Sequence, residues 1–146
     1  MDPLSLAASI TALIGFGLGC AKTIHNLVRS VAHAPSSARQ LAEELELLGT
    51  VLDELVRFLR SEKAAGRVFH QHDLLVASKA SCEARVAKLQ EKLGRVKKSS
   101  LTGVLKWPLN EDEVSQEMAA IHQYVLVFQF SVTIDGLCVV PCLTDG

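Results

Sequence analysis

Aromatic residues are scarce in this chain of 146 residues, at 5% with one Trp and one Tyr, while Leu, Ala and Val abound. A core so short of rings and so rich in aliphatics favours helices over a β-sandwich. Charge of one sign is not in excess either: 15 Lys and Arg stand against 16 Asp and Glu. That balance gives no global argument for nucleic acid as a partner. Cysteines number four, Cys20, Cys82, Cys138 and Cys142, without the spacing of a disulfide framework. The start, Met1-Asp2-Pro3, lacks the basic n-region of a signal peptide, because the first cation, Lys22, follows the apolar run instead of preceding it. A reducing, cytoplasmic compartment is the expectation. There is no internal repeat and no low-complexity stretch, and the length suits one domain.

What is present is an unusually apolar opening. Pro3 to Ala21 carries no charge and holds Leu, Ile or Phe at seven positions, Leu4, Leu6, Ile10, Leu13, Ile14, Phe16 and Leu18. As a helix this stretch is about 28 Å long, close to the roughly 30 Å hydrocarbon core of a bilayer. Leu6, Ile10, Leu13, Gly17, Cys20, Ile24, Leu27 and Val31 also alternate four and three apart, as in the seam of a soluble bundle. The segment can therefore be core, anchor or both. Asp2-Pro3 starts the helix, Ala34-Pro35 breaks it, and Gly15, Gly17 and Gly19 predict a bend or split between.

Three more seams follow. Leu41, Leu45, Leu48, Leu52, Leu55 and Leu59 make a second helix capped by Ser36 or Ser37 and ended by Ala64-Ala65-Gly66. Leu75, Cys82, Val86, Leu89, Leu93 and Val96, interrupted by Lys79, make a third from about His70. Asn110 before Glu111, Asp112 and Glu113 opens a fourth on Val114, Met118, Ile121, Val125, Phe128 and Val132. Its stretch Tyr124 to Ile134 is rich enough in β-branched and aromatic residues to suit a strand, but a lone strand has no partner, so helix is expected. The fold class is thus all-α, an up-down bundle of four long helices over residues 1–135, followed by an irregular tail at 136–146.

Signs of chemistry are thin. Gly15 to Thr23 superficially suggests a phosphate loop, yet Ala21 stands where Gly must precede Lys and no strand precedes the run. His70-Gln71-His72-Asp73 puts its two His on different sides of a helix, and Cys138 with Cys142 lacks a second pair. No catalytic residue, cofactor or metal is expected, and the chain reads as a non-enzyme. Gly15 and Gly19 form a GxxxG pair that allows close helix-helix approach, in a bundle or in a membrane. Twelve of the fifteen cations lie between Arg57 and Lys106. Arg95, Lys97, Lys98 and Lys106, beside Trp107, are candidates for contact with anionic lipid headgroups, the alternative being a solvated loop. Interleaved aromatics for stacking on nucleic acid are missing.

Three stretches together, MDPLSLAASITALIGFGLG, PSSARQLAEELELLGTVLDEL and LKWPLNEDEVSQEMAAIHQY, resemble the HeLo-like N-terminal domain of fungal NLR-type (STAND) receptors. The likeness covers residues 1 to about 135. It implies a helical bundle acting as the effector end of an immune or heterokaryon-incompatibility receptor. In that picture oligomerisation with other copies frees the N-terminal helix, here Pro3 to about Ala21, to enter the plasma membrane and cause cell death. The partners implied are the chain itself, anionic membrane lipids on activation and an upstream receptor or sensor. The localisation implied is cytoplasmic, shifting to the plasma membrane. The alternative is a non-lytic dimerisation or docking module whose first helix stays in the core.

Overall fold

Helix α1, Pro3–Ser30, runs without interruption through its glycines in the computed structural model, which describes residues 3–61, 72–95 and 105–144 and side chains over 4–61, 73–95 and 105–133. The split expected near Gly15 to Gly19 does not occur. Leu13, Cys20 and Ile24 on either side are buried and hold the helix to its neighbours across the weak turns. Two residues of strand, β1 (Val31–Ala32), follow α1, and His33 then takes φ 59°, a left-handed turn that redirects the chain into α2, Ser36–Arg60. Pro35 occupies the cap of α2 and makes no side-chain cap bond, so Ser36 and Ser37 are already inside the helix. Helix α3 spans His72–Leu93, and β2 (Leu105–Lys106) precedes α4, Glu111–Thr144.

Strands β1 and β2 pair in parallel, Val31 with Leu105 and Ala32 with Lys106. Nothing in the sequence pattern points to this clip, since two residues carry no period. It ties the end of α1 to the approach to α4. Helix α4 opens on a capping box: the Glu113 amide donates to Asn110 Oδ1 at 2.8 Å, and the Asn110 amide donates to Glu113 Oε1 at 3.3 Å. The helix then continues through the strand-like stretch Tyr124 to Thr133 and on to Thr144, in place of the irregular tail expected from Gly136. Leu137, Val139 and Val140 are compatible with a continued helix, and Pro141, three residues from its end, removes one internal hydrogen bond.

The helices alternate in direction. His25 on α1 meets Glu46 on α2, and Thr11 meets Arg60, so those two are antiparallel; Ser81 with Tyr124 and Arg85 with Glu117 show the same for α3 and α4. Helix α1 packs on α2 and more lightly on α3, and α4 packs on the same two, so α1 and α4 lie diagonally across the bundle. The four seams supply the core, with Leu6, Ile10, Ile24, Leu41, Leu45, Leu52, Leu55, Leu75, Leu89 and Phe128 wholly buried. At roughly 1.5–3 kcal/mol per buried side chain, this core is the main force holding α1 in place.

Candidate functional site

The first helix divides into two faces, and the division follows its period. Leu6, Ile10 and Leu13 are buried in the core cluster that the four helices share. Leu4 is 67% exposed, Phe16 41% and Leu18 44%, and Ile14 lies between, packed on the core edge. Of the seven expected inserting residues, then, three are core residues, three face outward and one is at the boundary. Leu4 to Ser30 is the one candidate membrane span among the described residues, by length and hydropathy alone, and about two fifths of its most apolar window is buried.

Gly15 and Gly19 are exposed, and a Cβ at either would meet nothing within 4 Å. They are not the point of close helix approach within the bundle, because the period places them opposite the seam. That point is Gly49 on α2, where a Cβ would stand 3.2 Å from Leu18 Cδ2. Leu18 thus lies over α2 while keeping its outer side in solvent. Gly49 sits inside an otherwise strong helix, and an interior Gly there was the available signal.

The expected headgroup residues are distributed unevenly. Lys97 and Lys98 lie outside the described residues. Arg95 is exposed but bonded to Glu91 at 3.1 Å. Lys106 is exposed on β2 and joins the end of α1 through its register with Ala32. Trp107 is turned inward instead: it packs half-buried on the core, and its Nε1 is buried without a partner. The neighbouring Leu109 is buried, which draws the Trp107 turn onto the bundle and away from solvent.

Charge inside the bundle is answered locally. Glu117 on α4 is buried and accepts from Arg85 Nε at 3.1 Å, with Lys92 Nζ 3.6 Å from its other oxygen. This cluster joins α3 to α4. Cys20 and Cys82 are free and buried, and burial pushes both thiols up to about 12; the Glu117 carboxylate adds to the effect at Cys20, and Glu83 adds at Cys82. Such thiols are poor nucleophiles at neutral pH. Lys79, the break in the α3 seam, reaches Glu83 at 2.8 Å.

A shallow groove of about 700 Å³ between α2 and α4 is lined by Gln40, Glu43, Leu47, Met118 and Ser115, with His122 Nδ1 2.6 Å from Glu44 Oε1 at its side. The pair resembles the base and orienting carboxylate of a hydrolase. Ser115, however, stands two helical turns from His122, roughly 10 Å along α4, beyond reach of a proton transfer. No group of three or more His, Cys, Asp or Glu among the described residues could hold a metal.

A family model described as pigment biosynthesis cluster protein PigL N-terminal matches residues 1–129. No curated protein and no solved structure matches the chain.

Proposed function

The chain belongs to the PigL N-terminal domain family, a HeLo-like fungal domain family, and from that footing we propose that it is a membrane-targeting effector domain of a fungal NLR-like immune or incompatibility system. The single observation that carries the reading is the dual character of α1, uncharged from Pro3 to Ala21, half in the core and half facing outward. In the closed bundle Leu6, Ile10 and Leu13 are satisfied by the shared core. In a bilayer the same residues, with Leu4, Ile14, Phe16 and Leu18, favour insertion at roughly −0.3 to −0.6 kcal/mol each, a few kcal/mol in sum. Loss of the α2 contacts opposes it, so insertion is conditional and oligomerisation supplies the difference. Self-association, anionic lipid and an upstream sensor are the partners of this reading, and the cytoplasm, then the plasma membrane, its place. No catalytic step enters it.

Burial of the α1 seam favours a second reading, a bundle that docks partners without ever releasing α1. Dye release from anionic liposomes, compared between the native chain and Ile14→Lys, separates the two. Leakage lost in a variant that keeps its helical circular dichroism supports insertion. Absence of leakage from the native protein, with a stable dimer in solution, supports the docking module.

A further inference from the structure

The outward face of α1 continues past its apolar part into cations. Leu4, Gly15 and Leu18 are exposed and lie on one heptad-spaced stripe, and Lys22 and Arg29 extend that stripe in the last turns. Thr11 stands on the same stripe, and Arg60 reaches from α2 to donate to its Oγ1 at 3.4 Å; Phe16, two residues before Leu18, is exposed on the other flank of the helix. Neither Lys22, Arg29 nor Arg60 has an acidic partner among the described residues. Two acids on the α2 flank of the stripe have partners: Glu46 is bonded to His25 and Asp53 to Arg57. The face is therefore apolar in its first two thirds, about 22 Å long, and cationic at its far end and one flank.

We infer that the closed bundle docks on an anionic bilayer surface through this outward face, with α1 still seated on α2. A helix lying in the interface plane buries exposed apolar side chains at the headgroup boundary while cations above them meet lipid phosphates. Leu4 and Leu18 supply the first contact, and Lys22, Arg29 and Arg60 the second. Unpaired cations beside exposed apolar side chains match the phosphates and acyl boundary of an anionic bilayer. This rests on the membrane-targeting reading above and adds a step before any release of α1.

The test uses a lock. Leu18 Cγ stands 3.5 Å from the position of a Cβ at Gly49, a side-chain contact that brings the two positions within range of an S–S bond, so Leu18→Cys with Gly49→Cys, oxidised, ties α1 to α2. Flotation with vesicles of equimolar phosphatidylcholine and phosphatidylserine is expected to carry the locked protein as fully as its reduced form, which lacks Leu18 equally, and pure phosphatidylcholine carries neither. In the unlocked chain Lys22→Gln with Arg29→Gln is expected to weaken binding about thirtyfold at low salt, whereas Arg57→Gln with Asp53→Asn, which removes a matched pair, leaves it unchanged. Locked protein that stays unbound while its reduced form floats, or native affinity in the double Gln variant, overturns the proposal. A lipid-free dimer dissolved by Ala8→Arg, at an exposed position between Leu4 and Thr11 on the same stripe, also overturns it and assigns the face to a second copy. Binding without dye release in locked and unlocked protein alike retains docking and refutes release.

Discussion

The side chain of Leu18 closes over Gly49: a Cβ added at Gly49 would come within 3.2 Å of Leu18 Cδ2 and 3.5 Å of its Cγ. This is where the helix proposed to leave the bundle is seated on the helix that retains it. Gly49→Ala should change stability little or raise it by up to about 1 kcal/mol, since the helix gains propensity and Leu18, open on its outer side, can yield a few tenths of an ångström. Gly49→Leu should push α1 outward and destabilise by about 1–3 kcal/mol. Urea unfolding of both variants measures the difference.

Gly15 and Gly19 face open space, so replacing them tests helix propensity without a packing change. Gly15→Ala and Gly19→Ala should each stabilise the bundle by roughly 0.5–1 kcal/mol. A loss of stability in thermal melts would show that one of them makes a contact in solution that the isolated bundle does not contain.

Most of the fold is legible in the period of the sequence. The Leu41 to Leu59 seam is buried throughout, and the Asn110 to Glu113 cap forms as its residues predict. Burial of a stripe is a local property, and four such stripes leave few ways to pack. The features that escaped are set by tertiary contact: the β1 and β2 pairing, the inward turn of Trp107 and the role of Gly49. The candidate site was half legible. Uncharged residues were visible along α1, but Leu6 and Leu4 look alike in composition and differ only in which side α2 occupies. Arg60 and Thr11 are far apart in sequence, and only the antiparallel packing of α1 and α2 brings them together.

The Glu117 cluster should tolerate an apolar replacement better than truncation. Glu117→Ala leaves a small void and frees Arg85 and Lys92, both about one third exposed and able to turn to water, and should destabilise by about 1–3 kcal/mol. Glu117→Met fills the space and should cost less. Denaturant midpoints of the two variants against the native chain decide this.

Two buried thiols give the bundle an alkaline limit. Cys20 and Cys82 ionise near 9.0 when unfolded and are pushed up to about 12 when folded. Above pH 9 the unfolded chain therefore binds fewer protons than the folded one, so stability is full below pH 9 and falls as pH rises toward 12. Denaturant midpoints at pH 8 and pH 10.5 should differ more for the native chain than for Cys20→Ala with Cys82→Ala. Equal pH dependence in the two proteins would show that the thiols are not held neutral by burial.

Departure of α1 from α2 is tested most directly by dye release from anionic liposomes with the Leu18→Cys, Gly49→Cys protein, oxidised and then reduced. Insertion of a freed α1 requires leakage from the reduced protein and none from the oxidised form. Equal leakage from both, or leakage from neither while the native chain also leaves the vesicles intact, would contradict it.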